Sequence, residues 1–361
     1  MDRSSREGDR GEGRAHRLTL IALAGSCTLL ALSLLIGAAS FYSMWQARAN
    51  WEIDSSGAPL TVFDPAIGFV SPPGATTVRR HLHGVEYSYH RDARGARVGS
   101  PDASRPVRVD LVFVGGSFTL GRGVEHEESF PALAARDLGL SAANLGIGAY
   151  GTVQSLLLLE RNADLARSVV VYGFIEPHLR RNLSACAPSY SPHCVHVPYV
   201  DFDDDGRPFL CPPSPGAAAD WARNERFHAA LPAHPIGPAS LRAGLDLLLR
   251  PLRSGAPPGP PRDARRDEAS MRLLLPRMSE AAARGGGRLV VVYIPDLRDP
   301  GRPLPPALAA ALPPGATLVD VSAWLRARPA SEPLVLPGGD DHPSPAGHRA
   351  IAAALAAGLR R

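Results

Sequence analysis

The pattern of apolar and polar positions divides the chain into an N-terminal apolar run and a long region of alternating short segments. From about residue 107 onward, apolar runs rich in β-branched residues alternate with segments of helical periodicity. The runs predict strands at Val109–Val114, Val169–Phe174, Leu289–Ile294 and Thr317–Val321, and a weaker one at Ala142–Gly146. Helices are predicted at Ser129–Leu138, Thr152–Leu165, Glu268–Arg284, Leu304–Leu312 and Ser344–Leu359. This alternation favours an α/β fold with a parallel sheet covered on both faces.

The N-terminal run, Leu18–Tyr42, has 25 residues without a charge, enough for a helix to cross a bilayer. Five arginines precede it: Arg3, Arg6, Arg10, Arg14 and Arg17. The positive-inside rule then makes residues 1–17 a cytoplasmic tail and residues 18–45 a single-pass anchor in the inner (cytoplasmic) membrane. We expect the rest of the chain to be periplasmic or extracellular. A cleaved signal peptide is the alternative, although its apolar core is usually shorter.

The remaining chain is predicted to be one domain with an extension before it. Residues 46–106 are interpreted as a linker and N-terminal extension, and residues 107–361 as the α/β domain. A Pro-, Gly- and Ala-rich segment from about 186 to 267 is interpreted as an insertion, with helical patterns at 217–230 and 238–252. Both a lid over a substrate and a passive surface loop remain open for it.

The composition argues against a nucleic-acid partner. Hydrophobic residues make up 45% of the 361 positions, which is enough for a full core. Every basic residue is arginine, the net charge is only +4, and no basic stripe interleaves with aromatic residues. We therefore expect a globular domain whose partners are a substrate and the membrane, with no nucleic acid.

Three cysteines, Cys186, Cys194 and Cys211, lie close together in the sequence. In an exported domain they favour a local disulfide with one thiol left over, and the sequence leaves the pairing open. Zinc binding with the help of His193 and His196 is the alternative, but the spacing matches no standard pattern. A disulfide or plain buried thiols are therefore favoured over a zinc site.

The stretch "DFDDDG", Asp201–Gly206, begins like a calcium-binding loop. Its twelfth position is Pro212, where such a loop has glutamate, so a hairpin turn is the favoured interpretation. Neither this segment nor the cysteines indicate a metal, and we expect no cofactor.

The candidate chemistry lies in "FVGGSFTLGRGV" and "PGGDDHPSPAGH". The first stretch places Ser117 just after a predicted strand, and ligands of parallel sheets bind outside the carboxyl ends of strands. The second places His342 after two aspartates, and a carboxylate can orient an imidazole that takes a proton from a serine hydroxyl. The alternatives are an ordinary turn serine and a capped helix start with solvated acids.

These stretches resemble the SGNH hydrolase superfamily, the GDSL-like esterases and acyltransferases. "GGSFTLGRGV" resembles its first block, with Gly116 where the Asp of GDS usually stands; "NLGIGAYGTVQ" resembles the second block and "DDHPSPAGH" the last. Upstream, "FDPAIGFVSPPGA" and "YSYHRDARGARV" resemble segments of membrane-anchored members. The resemblance covers roughly residues 62–355. It implies a three-layer flavodoxin-like fold with a parallel five-stranded sheet, preceded by one N-terminal transmembrane helix.

The resemblance also implies a role for matching residues. Ser117 would be the nucleophile and His342 the general base. Asp340 would orient His342. Most members use a longer D-x-x-H spacing, but position 339 is a glycine in this chain, so Asp341 is the fallback. The backbone N–H groups of Ser117 and Ala149 would form part of the oxyanion hole.

The third block is where the sequence departs from the superfamily. An Asn is expected directly after the strand "SVVVYGF", but the chain continues "IEPHLRRN". Glu176 and Pro177 cannot donate as an amide does. His178 is our candidate for the missing oxyanion donor, and Asn182 is a more remote one.

Together these observations predict an ester hydrolase that works through an acyl-serine intermediate on acyl esters of the cell envelope. One alternative is an O-acyltransferase that modifies an envelope glycan. Another is a non-catalytic binding domain with the same fold. The last alternative predicts that Ser117 and His342 lie too far apart to hydrogen bond, and that side chains fill the cavity beside them.

Overall fold

The computed structural model describes residues 4–51, 54–80, 86–103, 106–187, 194–229, 263–327, 332–338 and 340–360. The N-terminal helix and the α/β domain belong to separate compact units, and each is considered by itself. The helix α1 spans Ser4–Trp51, and its apolar part is His16–Tyr42. At 27 residues this part is long enough and apolar enough to cross a membrane, and a signal sequence has the same features.

The strands and helices of the α/β domain follow closely from the apolar pattern. The strands are β1 (Asp54–Gly57), β2 (Val62–Asp64), β3 (Gly68–Val70), β4 (Thr76–Arg80), β5 (Glu86–Arg91), β6 (Arg97–Val98), β7 (Val109–Gly115), β8 (Ala142–Asn144), β9 (Ala166–Phe174), β10 (Tyr199–Phe202), β11 (Pro208–Cys211), β12 (Arg288–Tyr293) and β13 (Thr317–Asp320). The helices are α2 (Ser117–Leu120), α3 (Phe130–Leu138), α4 (Thr152–Arg161), α5 (Pro177–Asn182), α6 (Ala217–Ala229), α7 (Ala264–Arg284), α8 (Pro306–Ala310), α9 (Val321–Ala327) and α10 (Pro345–Leu359).

Five parallel strands form the centre of the sheet in the order β8-β7-β9-β12-β13. Numbered along the chain this order is 2-1-3-4-5, which is the flavodoxin-like arrangement. The predicted parallel five-stranded sheet is therefore confirmed. The direction of winding changes between β7 and β9, and ligands of such sheets bind at this switch point.

Alternate side chains of the central strands enter two separate apolar layers. Val112 and Val114 of β7 pack with residues of α4, α7 and α8, whereas Leu111 and Phe113 pack with residues of α3, α9 and α10. Because the strands are buried on both faces, they read as nearly continuous apolar runs in the sequence. The fold is thus the predicted three-layer α/β architecture.

The N-terminal extension is part of the same sheet, which is larger than the predicted five strands. β1, β4, β5 and β6 continue the sheet beyond β8, giving nine strands in all. These four strands pair antiparallel, and Arg97 of β6 pairs with Asn144 of β8. Their mixed polar and apolar residues gave no clear strand signal, because one face of an antiparallel edge can stay in contact with water.

The insertion begins with a disulfide between Cys186 and Cys194, which answers the open pairing. Cys211 carries a free thiol. The stretch "DFDDDG" forms the turn of the β10–β11 hairpin, as predicted, and the Asp203 carboxylate accepts the backbone N–H groups of residues 205 and 207. The predicted helix at 217–230 is present as α6. The one at 238–252 lies outside the described residues, as does His193.

Candidate active site

The turn that carries the candidate nucleophile, Ser117, follows β7 at the switch point of the sheet; we call it the nucleophile turn. Gly115 ends the strand at φ 152, and a side chain there would meet the carbonyl oxygen of Gly173 at 2.8 Å. Glycine is therefore needed for the chain to turn close to β9. Ser117 is the first residue of the short helix α2 and is buried together with the rest of its turn. The serine thus lies at a tightly held strand-to-helix junction.

Ser117, His342 and Asp340 form one chain of hydrogen bonds. Ser117 Oγ lies 2.8 Å from His342 Nε2, and His342 Nδ1 lies 2.5 Å from Asp340 Oδ1. If Nδ1–H donates a hydrogen bond to the Asp340 carboxylate, Nε2 keeps a lone pair that can accept the serine proton. This is the arrangement of a serine nucleophile, its base and the residue that orients the base.

Asp340 is better placed than Asp341 to orient the imidazole. Burial by itself would raise the pKa of Asp340, but the hydrogen bond and charge of His342 outweigh it, so its pKa falls below the usual value. Asp340 also accepts the backbone N–H of His342 at 2.9 Å. Asp341 lies 3.4 Å from Nδ1 and its side chain is 52% exposed. The D-x-H pair is therefore the one that meets at hydrogen-bonding distance.

The loop that carries His342 is fixed by a local bridge and by a helix cap. Val335 pairs with Pro343, and the carbonyl of His342 accepts the backbone N–H of Leu336 at 2.9 Å. Ser344 then caps α10 by accepting the backbone N–H of Gly347 at 3.2 Å. The imidazole is consequently held between two anchored segments and does not depend on a free loop.

The resemblance assigns the oxyanion hole to the backbone N–H groups of Ser117 and Ala149. Ala149 is the non-glycine residue with positive φ, 65°, in the described part of the chain. An alanine thus adopts the left-handed conformation that glycine usually takes. Among the described residues, no acceptor is found for the backbone N–H of Ser117 or for that of Ala149. Of the two residues, Ser117 lines the cavity at this site and Ala149 is not among its lining residues.

The cavity beside Ser117 has a volume of about 360 Å³. It is lined by Ser117, His342, Ile175, Arg181, Arg298 and Arg302, among others. Ile175 directly follows β9, where an Asn was expected, and its apolar side chain cannot donate a hydrogen bond. The cavity therefore has no amide at this position.

His178 lies under the nucleophile turn and is fully buried. Its Nδ1 is 2.8 Å from the Tyr172 hydroxyl, which also lies 2.8 Å from Thr152 Oγ1. Its Nε2 is buried and has no hydrogen-bond partner among the described residues. Burial holds the pKa of His178 well below its usual value, so the ring is neutral. His178 is not among the residues that line the cavity.

Asn182, the more remote candidate donor, is occupied by the N-terminus of α4. Its Oδ1 accepts the backbone N–H of Thr152 at 2.8 Å, and its Nδ2 donates to Thr152 Oγ1 at 2.9 Å. The residue is fully buried. Its amide therefore stabilises a helix start and does not face the cavity.

Arg97 is a supporting residue that the sequence interpretation missed. It is only 2% exposed, and its guanidinium donates to the carbonyls of Leu120, Gly121 and Val124, at 2.7–2.8 Å, and to that of Ser88 at 2.9 Å. Three of these carbonyls belong to the turn that follows Ser117. The available signal was the segment "YSYHRDARGARV", which contains Arg97 and was noted for its resemblance to segments of membrane-anchored members.

Asp340, Asp341 and His342 also bring metal-type donor atoms within 4.8 Å of one another. Both ring nitrogens of His342 already lie at hydrogen-bonding distance from Asp340 and Ser117. A metal ion bound here would displace one of these contacts. The group therefore fits an acid–base role better than a metal site.

No family model matches the chain, and no curated protein matches it. Solved structures do match it. A lipolytic protein of the G-D-S-L family from Veillonella parvula is 11% identical, with 68% of this chain and 94% of that chain covered and a TM-score of 0.34. A carbohydrate esterase family 2 enzyme from Corynascus thermopiles (Myceliophthora fergusii) is 14% identical, with 80% and 77% covered and a TM-score of 0.34.

An acetyl xylan esterase from Butyrivibrio proteoclasticus is 11% identical, with 72% of this chain and 65% of that chain covered and a TM-score of 0.34. The chain is thus similar to structures described as G-D-S-L lipolytic proteins and as esterases. At these TM-scores the likeness says nothing about individual residues. What the Ser117 site can do follows from its own geometry.

Proposed function

We propose that this protein is a serine ester hydrolase of the SGNH type. The observation that carries the proposal is the hydrogen-bonded chain from Ser117 Oγ through His342 to Asp340, with distances of 2.8 and 2.5 Å. Ser117 and His342 line a cavity of about 360 Å³, which is in the usual size range of small-molecule sites. A buried serine, an imidazole base and an ionised carboxylate in this order are the parts that acyl transfer to serine requires.

In the proposed reaction Ser117 Oγ attacks the acyl carbon while His342 Nε2 takes the hydroxyl proton. The carbonyl π electrons move to oxygen, and the resulting oxyanion is stabilised by the N–H groups of Ser117 and Ala149. His342 then gives its proton to the departing alcohol as the ester bond breaks. Water then attacks the acyl-serine while His342 takes its proton. The acid is released and His342 returns the proton to Ser117 Oγ, so that the serine is restored.

The alternative of a non-catalytic domain is not favoured by the site. It predicted that Ser117 and His342 would be too far apart and that side chains would fill the cavity. The two side chains are instead at hydrogen-bonding distance, and the cavity is open beside them.

The proposed substrates are O-acyl esters of the cell envelope, with the domain held outside the cytoplasm by α1. Support comes from the apolar segment His16–Tyr42 and from the arginines that precede it. An O-acyltransferase would use the same acyl-serine, with a glycan hydroxyl in place of water. Release of acetate with and without a glycan acceptor, measured on the full-length protein in detergent, separates hydrolysis from transfer.

The activity itself is tested with p-nitrophenyl acetate and the full-length protein. We expect steady turnover by the natural protein and a loss of at least about 10⁴-fold in Ser117→Ala. Melting temperature serves as the control for folding. Equal turnover by the natural protein and by Ser117→Ala would contradict the proposed function.

A further inference from the structure

The proposed oxyanion hole lacks a side-chain donor at the end of β9. Ser117 and Ala149 offer two backbone N–H groups, whereas Ile175 contributes only an apolar side chain to the cavity. His178 is no substitute, because its Nδ1 lies 2.8 Å from the Tyr172 hydroxyl and its fully buried ring does not line the cavity. A third donor, if there is one, must come from another residue near the nucleophile turn.

Arg181 of α5 is a residue near the nucleophile turn that can donate hydrogen bonds. It lines the same cavity as Ser117 and His342. Its Nη1 donates to the carbonyl of Tyr150 at 2.9 Å, directly after Ala149 in the chain. The same atom would lie 3.3 Å from a Cβ atom placed on Gly116, directly before Ser117. The guanidinium therefore lies between the two backbone turns that carry the oxyanion donors.

Most hydrogen-bond donors of Arg181 are not used within the described part of the protein. A guanidinium has five N–H donors, and the Tyr150 carbonyl accepts one of them. Its Nε is buried and has no partner. Two other cavity arginines differ, because Arg298 pairs with Asp296 at 2.8 Å and Arg302 with Glu176 at 2.9 Å; the remaining one, Arg180, is exposed. Arg181 makes no hydrogen bond to a carboxylate among the described residues.

We propose that Arg181 is the third oxyanion donor and that its guanidinium takes the place of the missing side-chain amide. This inference rests on the proposed function, because the oxyanion forms only when Ser117 attacks an ester. Burial lowers the pKa of Arg181 to about 10, so the group remains a cation at neutral pH. A positive charge fixed beside a developing negative charge in a buried site stabilises the transition state more than the neutral ester.

Gly116 fits this assignment. A side chain at this position would lie 3.0 Å from His178 Nε2 and 3.3 Å from Arg181 Nη1. The place where the first block usually has an aspartate is thus closely bordered by the guanidinium. An aspartate here would pair with Arg181 and neutralise the charge that we assign to the oxyanion.

The test compares Arg181→Met, Arg181→Lys and Arg180→Met in the full-length protein, with p-nitrophenyl acetate as the substrate. This ester is neutral, so an arginine that only attracts anionic substrates would have no effect on it. Arg180 is the exposed neighbour on the same helix, and Arg180→Met measures what one positive charge at the cavity rim contributes. Melting temperature identifies any variant that fails to fold.

For Arg181→Met we expect kcat to fall about 100-fold while KM changes less than about threefold, because the donor acts mainly on the transition state. Arg181→Lys keeps a cation, and we expect its kcat to be about tenfold higher than that of Arg181→Met. Arg180→Met should lose less than about threefold, since an exposed charge is screened by water.

Three results would overturn the inference. They are a kcat within about threefold of the natural value in a folded Arg181→Met, an equal loss in Arg180→Met, or an effect on KM alone. Ser117→Ala is assayed in parallel. If it keeps full activity, the proposed function fails together with the inference; if it is inactive and Arg181→Met is fully active, only the inference fails.

Discussion

The ends of strands β7 and β9 lie side by side at the switch point, but they are built differently. At the end of β7 the glycine turn and Ser117 are as the sequence predicts. At the end of β9 Ile175 stands where an amide was expected, and arginine and histidine side chains from α5 lie close to Gly116. The backbone turn is thus as expected, whereas the side-chain donor is absent from its expected position.

The comparison shows that the backbone turn is more tightly constrained in sequence than the side-chain donor. The β7 turn depends on Gly115, where φ is 152° and the Gly173 carbonyl is close, so few residues fit. A side-chain donor needs only an N–H at the correct place, which several residue types can supply from different positions. A missing amide in the sequence is therefore weaker evidence against catalysis than a missing glycine would be.

The largest expected effect concerns the two aspartates before His342. Asp340→Asn should reduce kcat by about 10⁴-fold, because the amide can leave the imidazole in the wrong tautomer. Asp341→Asn is the matched control and should lose far less, since its side chain is 52% exposed and lies 3.4 Å from Nδ1. Steady-state kinetics on p-nitrophenyl acetate measure both. The reverse ranking would make Asp341 the orienting residue.

The β7 end can be weakened from a distance at Arg97. Arg97→Met leaves buried carbonyls after Ser117 without their donor, and we expect the free energy of unfolding to fall by about 3–5 kcal/mol. Arg94→Met breaks the exposed Arg94–Asp164 pair instead and should cost less than about 1 kcal/mol. Urea unfolding of both variants measures the difference. Equal losses would show that Arg97 has no special part in holding the turn.

The β9 end can be rebuilt by returning the amide. We expect Ile175→Asn to raise kcat by about tenfold when it is introduced into Arg181→Met, because it restores a donor after the strand. In the natural protein the same change should help little or lower kcat, since Arg181 already occupies the role. A double-mutant cycle measures this coupling. Additive effects at the two positions would mean that they do not serve the same oxyanion.

The expected effect that touches catalysis least is a pH dependence of stability from His178. Burial holds its folded-state pKa well below the ordinary value of 6.5, so the unfolded chain binds more protons below that pH. The stabilisation from the neutral ring is thus fully present above pH 6.5 and falls by about 1.4 kcal/mol per pH unit below it.

His178→Gln removes this titration and should flatten the fall in stability between pH 6.5 and 5. His348, whose pKa is lowered by burial to about 3, is present in both proteins and adds the same slope to each. Urea unfolding across this pH range measures the two slopes. Identical slopes would mean that His178 is protonated in the folded protein.

Much of the fold could be predicted because the central strands are buried on both faces. Their apolar runs predicted all five parallel strands to within a few residues, including Val109–Gly115 and Ala166–Phe174. The six N-terminal strands, β1 to β6, were missed, since their pairing is antiparallel and their composition is mixed. Helix α5 was missed because it is only six residues long and begins at Pro177.

The candidate site shows the same division. Ser117, Asp340 and His342 were identified because each lies in a short motif whose spacing has a chemical meaning. Arg97 lay in a segment noted only for its resemblance, and Arg181 was not singled out, because the partners of both residues are carbonyl oxygens distant in the sequence. His178 was selected as a ring beside the missing amide, but its protonation depends on Tyr172 and Thr152, which only the structure brings together.

The most direct test of the central claim is labelling of the full-length protein with a fluorophosphonate, followed by mass mapping of the adduct. The account predicts one adduct, on Ser117, and much slower labelling in His342→Ala because the base that activates the serine is gone. Labelling that is absent, that maps to another residue, or that proceeds equally fast without His342 would contradict it.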